Sequence, residues 1–120
     1  MDNTELLAEI AGIHKRLCDL TIACKTFWHL YAGDYESKFM DIPDIYDKSI
    51  KHSYYLRGEK CIYYHDQLRA LEPPSDLSEI KAYKIKMQEL LGQLVPPGLR
   101  EYKAVKEINA LHKKLNSLVN

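Results

Sequence analysis

Apolar residues recur along the first quarter of the chain in alternating steps of four and three. This heptad spacing places them along one side of a helix. Asn3 or Thr4 can cap the beginning of that helix, Glu5 suits its first turn, and Gly33 ends it. The pattern therefore predicts one uninterrupted helix of about 28 residues, about 42 Å long. Its buried stripe consists of Leu6, Ile10, Ile13, Leu17, Leu20, Cys24, Phe27 and Tyr31.

Prolines divide the rest of the chain into three further helical segments. Pro43, the pair at 73–74 and the pair at 96–97 each end a run of helical periodicity, because proline cannot continue a helix. Ser75 or Asp76 can cap the third helix. The three later helices are predicted over 44–71, 76–94 and 99–118.

No segment shows the alternation of a strand with comparable strength, so the predicted fold class is all-α. We expect a single domain over residues 1–120, an antiparallel up-down four-helix bundle in which the first two helices are longer than the last two. The first hairpin would then project beyond the second and leave apolar side chains in need of a partner.

The composition and net charge of the chain fit a compact globular domain and argue against several classes of function. Of the 120 residues, 46% are hydrophobic and 28% are charged, with 17 basic and 17 acidic side chains. A formal net charge of zero makes nucleic acid an unexpected partner. An odd cysteine count of three indicates reduced thiols. With no signal-peptide pattern and no membrane-length apolar run, we expect a cytoplasmic protein.

Aromatic residues supply the predicted contact surface. On the second helix, adjacent tyrosines at 54–55 and at 63–64 point about 100° apart, so one of each pair faces away from the core. Trp28, the only tryptophan, lies just off the first stripe and is the leading hot-spot candidate. The predicted partner-binding residues are Phe27, Trp28, Tyr31, Tyr35, Phe39, Tyr55 and Tyr63.

Two basic residues suggest an alternative function. Arg57 and Lys84 interrupt the apolar stripes of the second and third helices. If both point inward they need an anionic partner, because an unpaired buried charge is costly. Together with Tyr54, they would make the chain a ligand-binding bundle that holds a small anion or a nucleotide.

A zinc site is a further alternative. His14 and Cys18 are four residues apart on the first helix, and Cys61 and His65 are four apart on the second, so each pair shares a helix face. An antiparallel hairpin that closes near residues 35–44 would bring all four level. Two cysteines and two histidines could then bind zinc tetrahedrally. Our primary expectation is that the chain needs neither a metal nor a cofactor.

The last alternative function rests on a resemblance to a known protein family. Arg57 followed by His65, amid tyrosines, resembles the arginine and histidine of HEPN ribonucleases, which are also small helical bundles. The interval between the two residues is longer here than in the family's motif. The resemblance would imply an RNA-cleaving enzyme.

The sequence favours a non-enzymatic function. We expect a non-catalytic protein-binding module that acts through a helical surface and self-associates into a homo-oligomer. Small inhibitors, immunity proteins and accessory proteins of bacteria and their phages have this size and composition, which is an analogy of scale and not of motif.

Overall fold

A computed structural model describes residues 2–31, 48–96 and 103–118, with side chains described over 2–28, 56–96 and 103–118. Within these ranges every regular element is helical, which confirms the all-α prediction. None of the described helices has both the length and the apolar character needed to cross a membrane. The elements are α1 (Asn3–Thr21), α2 (Cys24–Tyr31), α3 (Lys48–Ala70), a 3₁₀ turn (Leu77–Glu79), α4 (Ile80–Leu94) and α5 (Lys103–Leu118).

The prediction of one uninterrupted first helix is wrong, because the chain turns between α1 and α2. The Thr21 hydroxyl donates to the Leu17 carbonyl at 2.8 Å and lies 3.4 Å from the Cys18 carbonyl. His65 Nε2 donates to the same Cys18 carbonyl at 2.9 Å. Side-chain bonds of this kind bend helices and satisfy the carbonyls at a helix end.

The beginning of α1 is capped one residue earlier than predicted. Asp2 Oδ1 accepts a hydrogen bond from the Glu5 backbone N–H at 2.8 Å. Asp2, and not Asn3 or Thr4, is therefore the N-cap of α1. The acidic side chain also suits the positive end of the helix dipole.

Asp76 caps the next helical segment as predicted, with Oδ1 accepting from the Ser78 backbone N–H at 2.9 Å. The first turn is a 3₁₀ turn, and α4 begins only at Ile80. Leu77 falls on the apolar stripe that helical periodicity predicts for this segment, but it is 48% exposed. The tighter 3₁₀ winding takes it out of register with the α-helical stripe that follows.

A single cluster of buried residues draws on all five helices. The first stripe is buried or half-buried from Leu6 to Phe27, and its last member, Tyr31, has its side chain outside the described part. The predicted core of the early helices is thus largely confirmed. The buried hydrophobic residues are Ile10, Ile13, Leu17, Cys24, Phe27, Trp28, Cys61, Leu68, Ile80, Tyr83, Met87, Leu90, Leu91, Leu94, Val105, Ile108 and Leu115.

Ion pairs and hydrogen bonds define the helix directions. Arg16 makes a bidentate pair with Glu107, at 2.8 and 2.9 Å. Lys114 Nζ lies 2.9 Å from Glu9 Oε1. Residue numbers therefore rise along α1 as they fall along α5, so these two helices are antiparallel. α2 packs against α3, and α3 against α4.

Candidate functional site

The outer face of α3, the side turned away from the core, carries large apolar side chains. Cys61 and Leu68 mark the opposite, buried side. Leu56 and Tyr63 are seven residues apart and share one face, with Ile62 next to Tyr63. Leu56, Ile62 and Tyr63 are 45%, 59% and 61% exposed. α3 is therefore apolar on two sides, which is more than packing against one core requires.

Ile22, in the turn between α1 and α2, is also a large apolar side chain and is 71% exposed. Lys25 Nζ lies 3.7 Å from Glu59 Oε1, which places these two residues level between antiparallel helices. Ile22 is three residues before Lys25, and Ile62 is three after Glu59, so the two isoleucines are also level. We define the apolar patch as Ile22, Leu56, Ile62 and Tyr63.

Charged residues border the outer face of α3 on two edges of opposite sign. Lys60 lies on the edge nearest α4, next to Arg57, whose Nη2 donates to Gln93 Oε1 at 3.3 Å. Glu59 lies on the edge nearest α2, and Asp66, seven residues later, shares that edge. Lys60 and Asp66 are exposed and make no ion pair within the described ranges.

Phe27 and Trp28, predicted as contact residues, lie in the core and are 3% and 0% exposed. Trp28 Nε1 donates to the Leu94 carbonyl at 2.8 Å. Arg57 covers the indole, with its guanidinium carbon 4.6 Å from the ring centroid, a cation–π contact. The expectation that these aromatic side chains stay on the surface is wrong, because α3 packs against α2 and the indole of Trp28 reaches the end of α4.

Tyr63 is the predicted contact residue that the described part of the structure places on the surface. Its ring meets that of Tyr64 edge-on, with centroids 5.4 Å apart. The other predictions of this group are not tested. Tyr35 and Phe39 lie outside the described residues, as do the side chains of Tyr31 and Tyr55.

Arg57 and Lys84, predicted to hold an anion together, lie near opposite ends of α4. Arg57 contacts Gln93, and Lys84 is nine residues earlier on that helix, about 14 Å along its axis. Lys84 Nζ donates to the Asn116 carbonyl at 3.3 Å, in the last turn of α5, where a cation is favourable. The two cations therefore do not form one site. The Tyr54 side chain lies outside the described residues.

The four residues of the zinc alternative do not converge. His14 Nδ1 lies 2.8 Å from the Tyr83 hydroxyl. His65 donates to the backbone carbonyl of Cys18 and not to its thiol. In the described ranges, no three histidine, cysteine, aspartate or glutamate side chains are placed to hold a metal ion.

The position of α1 and α2 along α3 explains why the four predicted zinc ligands lie apart. The zinc alternative places Cys18 level with Cys61. In the structure the Cys18 thiol instead lies 3.9 Å from the Leu68 carbonyl, and Lys25 Nζ, at the beginning of α2, lies 3.7 Å from Glu59 Oε1. α1 and α2 are thus shifted along α3 by about one and a half helical turns from the predicted register.

Arg57 and His65, the pair that resembles a ribonuclease site, also point to different neighbours. They are eight residues apart on α3, about 12 Å along its axis. Arg57 contacts α2 and α4 through Trp28 and Gln93, whereas His65 donates to α1. The structure does not bring the two side chains to one reaction site.

Burial keeps the titratable groups of the core in their neutral forms. Desolvation raises the pKa of Cys24 and of Cys61 to about 12. It also raises the pKa of Tyr83. Desolvation lowers the pKa of His14, although a hydrogen bond with the Leu68 backbone opposes part of that shift. Near neutral pH the thiols are protonated, and a protonated thiol is a poor nucleophile.

Sequence reasoning missed three of the four residues of the apolar patch. Leu56 could have been found, because it precedes Tyr63 by one heptad on the side of α3 opposite Cys61. Ile62, which points about 100° from Tyr63, gave no such signal. Ile22 carried no such signal, since it is exposed at a turn that the unbroken heptad spacing concealed.

Comparison of the chain with protein families, curated proteins and solved structures finds no match. What the chain does must therefore be inferred from the apolar patch and its charged edges.

Proposed function

We propose that the chain is a non-catalytic protein-binding module, that its binding surface is the apolar patch, and that it binds a second copy of itself. The proposed architecture is one domain over residues 1–120, an antiparallel up-down four-helix bundle in which α1 and α2 together form the first helix. The observation that carries the proposal is the exposure of two large side chains on one face of α3, Leu56 and Tyr63, together with that of Ile62 on the adjoining side of the helix.

Exposure of these apolar side chains to water is unfavourable in free energy, which favours a partner that covers them. Complete burial of one large apolar side chain is worth about 1.5–3 kcal/mol. Covering three that are roughly half exposed would contribute about 3 kcal/mol before the costs of association. Isolated apolar residues are normal on a surface, but a group on one face is typical of an interaction site. Tyr63, at the centre of the group, is of a residue type enriched in binding hot spots.

The state of the nucleophilic groups supports the non-catalytic part of the proposal. Cys24 and Cys61 are buried, with pKa values raised to about 12. His14 is 6% exposed and is hydrogen-bonded to Tyr83. Reactive cysteines are instead partly exposed and have lowered pKa values.

The proposed biological class is a small inhibitor, immunity or accessory protein, acting in the cytoplasm. The class rests on a chain of 120 residues that presents a helical surface. The location rests on three free cysteines, Cys18, Cys24 and Cys61, because a reducing compartment keeps such thiols unpaired.

Matched lysine substitutions test the proposed surface. Ile62→Lys on α3 has a counterpart in Ile85→Lys on α4, since these isoleucines are 59% and 54% exposed. Leu56→Lys is matched in the same way by Leu77→Lys, at 45% and 48% exposure. Sedimentation equilibrium should show that the wild type self-associates. The α3 variants should raise the dissociation constant by about tenfold or more, whereas their counterparts should leave it unchanged.

Two outcomes contradict the proposal. A wild type that stays monomeric at every concentration tested would contradict the proposed self-association. Equal weakening by Ile62→Lys and Ile85→Lys would mean that α3 is not the binding surface. Circular dichroism of each variant establishes that a change in mass does not arise from unfolding.

A further inference from the structure

Five exposed residues of α5 follow one another in steps of three and four on the side of the helix that faces away from the core. These steps place them within an arc of about 80° around the helix axis. The buried side chains of Val105, Ile108 and Leu115 mark the opposite side. We define the lysine strip as the five exposed residues Lys103, Lys106, Ala110, Lys113 and Ser117.

The positive charge around this strip is not balanced locally. α4 and α5 together contain seven lysines and two glutamates, a net charge of +5, although the whole chain is neutral. Glu107, the one acidic residue of α5, lies outside the strip and accepts two hydrogen bonds from Arg16 of α1. The excess follows from composition and does not depend on any single lysine being unpaired. The strip is therefore a source of positive potential.

The position of α5 in the bundle makes the strip accessible along its length. α5 packs mainly against α1, and two ion pairs, Arg16–Glu107 and Lys114–Glu9, fasten it there. The helix has 16 residues and is about 24 Å long. Since every residue of the strip is exposed, an extended anionic partner can lie along this face.

The residue types of the strip distinguish between the classes of anionic partner. Protein interfaces and membrane surfaces are bound through apolar anchors, and Ala110 is the largest apolar residue of the strip. Single-stranded nucleic acids are bound by stacking on aromatic rings, and α5 contains no phenylalanine, tyrosine or tryptophan. Double-stranded RNA has a major groove too narrow for side chains to read. The major groove of DNA, about 12 Å wide, admits an α-helix.

We propose that the lysine strip binds double-stranded DNA, with α5 along the major groove and its lysines on the phosphates that border the groove. Ala110 and Ser117 are small, so the helix can approach the groove closely. Contacts to phosphates carry no sequence information, so the binding is tolerant of sequence. The strip is separate from the apolar patch on α3, and the inference therefore goes beyond the proposed function without resting on it.

The three lysines determine how strongly the binding depends on salt. Each phosphate that a protein neutralises contributes about −0.9 to the slope of the logarithm of the association constant against the logarithm of the salt concentration. Three such contacts give a slope of about −2.7, which is a loss of affinity of about 40-fold between about 50 and 200 mM salt. Phosphate contacts of this kind give dissociation constants of about 10⁻⁴–10⁻⁶ M at physiological salt.

Fluorescence anisotropy of a labelled DNA duplex of about two helical turns tests the proposal. Lys113→Glu should weaken binding by about tenfold or more and reduce the salt slope by about 1. Lys15→Glu is the matched control, because it makes the same change of charge at an exposed lysine of α1. Lys15 points about 100° away from Arg16, which contacts α5. The control should change affinity by no more than about twofold.

Three results would overturn the proposal: a wild type that does not bind the duplex at about 50 mM salt, equal weakening by Lys113→Glu and Lys15→Glu, and tighter binding to single-stranded DNA of the same length. Tighter binding to vesicles of phosphatidylcholine and phosphatidylserine would assign the strip to a membrane instead. Circular dichroism of both variants establishes that each remains folded. Lys113→Glu should self-associate as the wild type does, so the outcome for DNA is independent of the outcome for the α3 surface.

Discussion

Trp28 shows at the scale of one residue what a periodic pattern leaves out. It lies just off the heptad stripe, and this position suggests a surface residue. In the structure it is fully buried, and its indole N–H donates to the Leu94 carbonyl. A stripe identifies the side of a helix that meets one neighbour, whereas a helix within a bundle has at least two. The side chain off the stripe can therefore be as buried as those on it.

Truncation of this side chain should be costly. Trp28→Ala removes a buried ring and leaves the Leu94 carbonyl without its donor, so the free energy of unfolding should fall by about 3–5 kcal/mol. Urea denaturation followed by circular dichroism measures the loss. Ile85→Ala, at an exposed site, should change stability by no more than about 0.5 kcal/mol. A loss below about 1 kcal/mol for Trp28→Ala would contradict its place in the core.

Two histidines should make stability depend on pH. Burial lowers the pKa of His14 and of His112, so folding favours their neutral forms. Their contribution is fully present above the unfolded pKa of about 6.5 and is lost as the pH falls below it. Urea midpoints should therefore fall between about pH 7 and pH 5. The exposed carboxylates of Asp76 and Glu107 have lowered pKa values and act only at lower pH.

A variant without the His14 ring shows whether His14 causes this pH dependence of stability. His14→Gln cannot titrate, so the fall in midpoint between the two pH values should become smaller than in the wild type. An unchanged fall would mean that His14 does not contribute. NMR titration of the His14 ring provides an independent check, with a pKa below that of an exposed histidine expected.

At the scale of elements, the turn between α1 and α2 is the feature that the sequence concealed. The heptad spacing continues through it, and both Cys24 and Phe27 are buried beyond it as predicted. At this turn the side chains of Thr21 and His65 bond to carbonyls of α1. His65 is distant in sequence, so periodicity along one helix could not reveal its contribution.

Substitution of two threonines in turn tests whether the Thr21 hydroxyl stabilises the turn between α1 and α2. Thr21→Val keeps the shape of the side chain but removes the hydroxyl that donates to Leu17, and should cost about 1 kcal/mol of stability. Thr26→Val, at an exposed position of α2, should be close to neutral. Equal effects in urea denaturation would mean that the Thr21 hydroxyl has no part in ending α1.

At the scale of the whole molecule, the all-α class and most of the buried stripes could be predicted, because periodicity and proline positions encode them locally. The register between helices could not. The predicted level pairing of Cys18 with Cys61 was wrong by about one and a half helical turns, since nothing in one helix specifies where its neighbour lies along it. The candidate site was predicted only in part. Tyr63 was identified from its tyrosine pair, while Leu56 and Ile62 emerged once the buried side of α3 was known.

We propose that the chain binds proteins through the outer face of α3 and that a second copy of itself is one of them. Native mass spectrometry of untagged wild type and of Ile62→Lys, over a range of micromolar concentrations, tests it most directly. The account predicts a species of twice the 14.0 kDa chain mass for the wild type and the single-chain mass for the variant. A single-chain mass for both, or the doubled mass for both, would contradict it.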